Sequence, residues 1–148
     1  LLLNENHRKL WDITKEVLRA KLTENRMKAT EEKIDTAFAS GYGTILFFED
    51  QEVIEKLQEQ FPGYADNFPV WSAHSTGMHQ FAVWTMLEDV GLGASLQHYN
   101  PLIDEKVKNE WNINPKWKLI AQMPFGMPIA EPGKKEVNPI DTRLLIFE

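Results

Sequence analysis

The sequence predicts one domain of the α/β or α+β class, built around a small central sheet. Helical patterns alternate with two short apolar runs rich in β-formers, Thr44-Ile45-Leu46-Phe47-Phe48 and the segment 117–123. Glycine and proline punctuate the boundaries, at Gly41, Pro62-Gly63, Gly91 and Pro124. Size agrees: 148 residues suit a single domain, and 43% hydrophobic with 26% charged residues is ordinary for a globular chain.

The elements follow in order. Leu1-Leu2-Leu3 reads as the tail of a strand. Leu10, Trp11, Ile13, Val17, Leu18 and Leu22 recur at helical spacing, so a helix is expected over 7–22, with Asn6 as its cap. A second helix is expected over 30–40, capped by Thr30, with Lys33 and Asp35 on its wet side and Gly41 at its end. Thr44 to Phe48 is an unbroken apolar run, the pattern of a strand covered on both faces. Asp50 is placed to cap a helix running to Gln60, which Pro62-Gly63 ends.

A long helix is expected over 69–90. Its second half is apolar nearly all round, which calls for burial in a core or an oligomer interface. Gly91 and Gly93 stop it. A short amphipathic helix is expected over 101–110, a strand over 117–123 ended by Pro124, and an extended segment over 143–147.

Composition narrows the chemistry. A net charge of −6 disfavours a nucleic-acid partner. The absence of cysteine removes disulfides, thiolate nucleophiles and cysteine metal sites, and fits a cytoplasmic protein. No run is long and apolar enough for a membrane span or signal peptide. His74 and His79 lie five apart, roughly 140° around a helix, so they do not share a metal-binding face. There is no Gly-x-Ser-x-Gly elbow. Gly91-Leu92-Gly93 lacks the third glycine of a dinucleotide fingerprint and follows a helix rather than a strand. No catalytic or metal-ligating residue is assigned.

Two segments remain as ligand candidates. Gly91-Leu92-Gly93-Ala94-Ser95-Leu96-Gln97-His98-Tyr99-Asn100-Pro101 combines a turn and a short strand that would lay backbone amides and a Gln-His pair against a flat ligand. Lys134 and Lys135 follow Pro132-Gly133, and Arg143 lies further on; flexible cations beside a glycine are suited to phosphate.

With Pro124-Phe125-Gly126, with Gly43 to Asp50, and with Phe61-Pro62-Gly63-Tyr64-Ala65-Asp66-Asn67-Phe68, these segments resemble the nitroreductase superfamily. The likeness is to its short bacterial and fungal branch, called fatty-acid-repression-mutant-like, and it covers essentially the whole chain. The resemblance implies an α+β fold, a central mixed or antiparallel sheet flanked by helices with a long buried helix. It implies an intertwined homodimer holding FMN, reduced by NAD(P)H and reoxidised by a small-molecule acceptor such as a nitroaromatic or quinone. Gln97 and His98 would then meet the flavin ring, and Lys134, Lys135 and Arg143 its phosphate. The branch's Arg-Arg-Ser motif is not among these residues, so the expectation is one domain over 1–148 incomplete at its amino end. The competing reading is a non-catalytic regulatory or interaction protein that keeps this fold without flavin.

Overall fold

A computed structural model describes residues 1–147; Glu148, the last residue of the expected domain, lies outside the described residues. The elements are β1 (Leu2–Leu3), α1 (Asn4–Arg19), α2 (Glu24–Ala37), β2 (Gly43–Asp50), α3 (Gln51–Gln60), α4 (Phe68–Asp89), β3 (Gly93–Ala94), α5 (Asp104–Glu110) and β4 (Trp117–Gly126). The strands form one sheet in the order β1-β2-β4-β3. Every pairing is antiparallel. The fold is α+β, and of the two sheet types expected it has the antiparallel one.

Helix α1 presents His7, Leu10, Trp11, Thr14 and Leu18 on one buried stripe, the i, i+3, i+4 spacing of a core-facing helix. It enters directly from β1, with Leu3 extended at its head, so Asn6 is not its cap. Asn6 Oδ1 instead accepts from Trp111 Nε1 at 2.8 Å. Helix α2 starts six residues before the expected Thr30, behind an extended Thr23 and an acidic first turn. Thr30 lies inside the helix, and its hydroxyl donates to the Arg26 carbonyl at 2.9 Å. Asp50 does cap α3, accepting from the Glu52 amide at 3.0 Å. Gly91 takes φ +81°, the left-handed conformation that ends α4.

The two sheet faces are covered unequally. One packs on α1, α2 and α5 through Leu10, Trp11, Ile34, Val107 and Leu119. The other has a smaller core, Phe47, Ala121 and Met123, covered by Val83, Trp84 and Leu87 of α4. A β-bulge joins them: Phe47 pairs with Ala121 and Phe48 with Leu119, which leaves Ile120 as an extra residue. That extra residue reverses the alternation, so Leu119 serves one face while Ala121 and Met123 serve the other.

Two expectations change here. Pro124 does not end β4; the strand runs on to Gly126, with Pro124 opposite Thr44. A proline fits because its carbonyl still accepts from the Ser95 amide at 3.1 Å, on the side occupied only by the short edge formed by β3. The long helix has the expected extent, yet the chain itself covers only one side of it. Trp71, Met78, Phe81, Met86 and Val90 stay 47–70% exposed. The segment 143–147 follows a turn at Ile140–Thr142 and is exposed. Among the described residues no helix is long and apolar enough to cross a membrane.

Candidate functional site

An open groove of about 670 Å³ lies between the end of α2, the edge formed by β3, and the chain leaving β4. That size falls within the range of small-ligand clefts. Its floor is Phe38 and Phe125, and its walls include Lys33, Ser40, Ser95 and Gln97. Two glycines permit the backbones of the floor to cross. The Tyr42 amide donates to the Phe125 carbonyl at 2.8 Å, and a Cβ on Gly41 would stand 2.8 Å from that same oxygen. Gly126 faces Gly41 across this crossing.

The floor is anchored to the core by aromatic contacts. Phe38 packs on Trp11 with ring centroids 5.0 Å apart, and Tyr99 meets both edge-on at 6.0 and 6.4 Å. Behind them is a buried polar chain. Trp11 Nε1 donates to Thr44 Oγ1 at 3.2 Å, and Thr44 Oγ1 lies 2.9 Å from His7 Nδ1. His7 Nε2 lies 3.1 Å from the Ala39 carbonyl, which can only accept. The neutral ring therefore carries its proton on Nε2, and Thr44 donates to Nδ1. Burial lowers the pKa of His7 below 6.5; the Ala39 contact opposes this and Arg8 adds to it.

Segment 95–99 is fixed to β4 by a regular exchange. The Gln97 amide donates to Gln122 O at 2.7 Å, and the Gln122 amide returns to Gln97 O at 2.9 Å. Gln122 is wholly buried, and its carboxamide accepts from the Tyr99 amide at 2.8 Å and donates to Asn100 Oδ1 at 3.3 Å. The amides of Ser95, Gln97 and Tyr99 thus turn inward. Leu96 and His98 alternate with them, and among the described residues their amides have no protein acceptor. Gln97 has spent its backbone on Gln122, so only its side chain, which donates to Ser95 Oγ at 3.2 Å, is free to serve a ligand.

The sequence-predicted residues are therefore divided. Gln97 lines the groove, and His98 is exposed next to it. Lys134, Lys135 and Arg143 are exposed on the segment beyond it and do not line it. Sequence reasoning missed Gln122 and Lys33. The signal for Gln122 is one amide side chain amid the otherwise apolar run Leu119-Ile120-Ala121-Gln122-Met123. Lys33 carries no such local signal; it reaches the groove through the placement of α2. Among the described residues no cluster of His, Asp or Glu could hold a metal ion.

Comparison with known proteins places this geometry. The model of the Nitroreductase family matches residues 2–127. The chain belongs to the nitroreductase family. Nitroreductase FRM2 of Saccharomyces cerevisiae is 38% identical over 135 residues, covering 91% of this chain and 65% of that protein. The chain thus spans just under two thirds of the yeast relative's length. Nitroreductase CinD from Lactococcus lactis, solved in complex with nicotinic acid, is 48% identical with a TM-score of 0.90, covering 99% of this chain and 74% of that one. The same nitroreductase in complex with 4-nitrophenol gives 47% identity and a TM-score of 0.88 over the same shares. The sheet and the helices on both its faces are those of this family, and the groove lies within the matched residues except for Pro128, Ile129, Ala130 and Pro132.

Proposed function

We propose that the chain is an FMN-dependent oxidoreductase, which takes hydride from NAD(P)H and passes it to nitroaromatic, quinone or similar acceptors. One observation carries the reading. Ser95 and Gln97 line the groove over an aromatic floor, and the amides of Leu96 and His98, on the same edge segment but outside the groove lining, have no protein acceptor among the described residues. Such an edge fits a flat ring with acceptor atoms on its rim, and amides fixed by the Gln122 exchange need no reorganisation when charge develops there. Bound FMN supplies the hydride chemistry itself; the chain positions it and tunes its electronics. Lys134, Lys135 and Arg143 extend beyond the groove and are the proposed phosphate partners. The complexes of CinD with nicotinic acid and 4-nitrophenol support aromatic substrates of this class.

The roles assigned to Gln97 and His98 differ, and so do the expected variants. His98→Ala keeps its backbone amide and is expected to reduce at the rate of the parent protein. Gln97→Ala loses its ligand contact and is expected to be reduced about tenfold more slowly with FMN still bound, the equivalent of about 1.4 kcal/mol. Absorbance of the purified protein near the flavin bands and stopped-flow reduction by NAD(P)H test both. A protein that stays colourless with added FMN would instead favour the interaction-protein reading.

The exposed face of α4 supports a homodimer. Trp71, Met78, Phe81, Met86 and Val90 form an apolar surface that a lone soluble chain seldom leaves open. Sedimentation is expected to give twice the chain mass at micromolar concentration. Arginine at Phe81 is expected to shift the protein towards monomer, and a clean monomer in the unsubstituted protein counts against the proposal.

A further inference from the structure

We infer that Lys33 is the residue that raises the reduction potential of the bound ring; this rests on the flavin reading above. The groove is electrostatically unusual for this chain. The sequence carries 22 acidic residues and a net charge of −6, yet no Asp or Glu lines the groove, and Lys33 is the cation among the described residues that do. Several lysines have carboxylate partners, Lys15 with Asp12 and Asp35, Lys106 with Glu16 and Lys116 with Glu55, while Lys28 on α2 and Lys108 on α5 have none among the described residues. Lys33 has no such ion pair among the described residues. Its ammonium lies 5.5 Å from the centroid of the Phe38 ring, the buried floor of the groove. A cation–π contact at that distance holds a long side chain over the floor without neutralising it.

The charge is therefore available to a ligand. Reducing an isoalloxazine by two electrons and one proton leaves a net negative charge on the ring. A cation at the groove wall binds that reduced anion more tightly than the neutral oxidised ring. Differential binding of the two redox states is a shift in potential, tenfold corresponding to 29.6 mV for a two-electron couple. Lys33 is thus a tuning residue: removing its charge changes the potential more than it changes affinity for oxidised FMN.

The test is spectroelectrochemical titration of the FMN-loaded protein beside Lys33→Met and Lys33→Arg. Methionine keeps an unbranched stem without charge, and arginine keeps the charge and the contact with Phe38. The expected result is a potential about 30 mV more negative in Lys33→Met, a tenfold loss of preference for the reduced ring. Affinity for oxidised FMN is expected to stay within about twofold, and Lys33→Arg to return towards the parent value. If the parent binds FMN and Lys33→Met has an unchanged potential, the inference is overturned while the flavin reading stands. If the parent binds no FMN, both are overturned.

Discussion

His7→Ala is expected to cost the fold about 3 kcal/mol or more, a large share of the stability of a domain this size. The ring is 2% exposed and holds together three parts of the molecule: α1, the strand residue Thr44, and the carbonyl of Ala39 before the groove. Its removal leaves Thr44 and Ala39 with unmet polar groups beneath a cavity. Urea unfolding measures the loss. His7→Phe, which keeps ring volume but not the hydrogen bonds, is expected to lose less.

The same ring sets a pH dependence. In the folded chain His7 is held neutral by burial, so its pKa lies below 6.5, whereas in the unfolded chain it takes up a proton near 6.5. Below that pH the unfolded state binds more protons, and stability falls as pH drops towards the folded pKa. Protonation would also put a hydrogen on Nδ1, facing a Thr44 oxygen that already accepts from Trp11. Asp104 works in the opposite sense: burial raises its pKa, with Lys108 opposing, so acid relieves it. The difference in stability between the parent and His7→Phe isolates the histidine. It is expected to be flat above about pH 7 and to shrink as pH falls through the window just below 6.5.

Gly41→Ala is the second large effect. The added methyl would stand 2.8 Å from the Phe125 carbonyl and 3.1 Å from that of Phe38. Both are backbone atoms that cannot swing aside, and the first is the acceptor for Tyr42. Overpacking of this kind costs about 1–3 kcal/mol, which for this length is a fall in Tm of roughly 2–12 °C. Because the same crossing forms the groove floor, affinity for FMN is expected to fall with it. Gly63→Ala is the control: a Cβ there meets nothing within 4 Å, and both measurements are expected to stay put.

Much of this arrangement was legible in the residues. Asp50 before a polar-faced helix, the run from Thr44 to Phe48, and the paired Gly91 and Gly93 each carry a local signal that local physics honours. The misread positions depend on what lies across from them. Pro124 ends a strand in isolation, but here its missing N–H falls on a short edge that demands little of it. Thr30 can cap a helix, but Thr23 stands earlier in a charged stretch of weak apolar period. His7 belongs to the same stripe as Leu10, Trp11, Thr14 and Leu18, so its burial was present in the spacing, while its partners Thr44 and Ala39 were not. Gln97 was singled out because its segment has a recognisable order; Lys33 reaches the groove through the placement of α2 against β3, which no short window contains.

The sheet order has a kinetic side. β1 and β3 are two residues each, so most of the ladder is the pairing of β2 with β4. The nearest residues of that pair, Asp50 and Trp117, enclose residues 51 to 116, including α3, α4 and α5. Loop-closure entropy must be met before this pairing is rewarded, which places the chain among slower, high-contact-order folders. Once formed, the pair opens only with the whole domain. Amides of β2 and β4 therefore exchange with solvent at the rate set by global unfolding, while the two short edges fray independently.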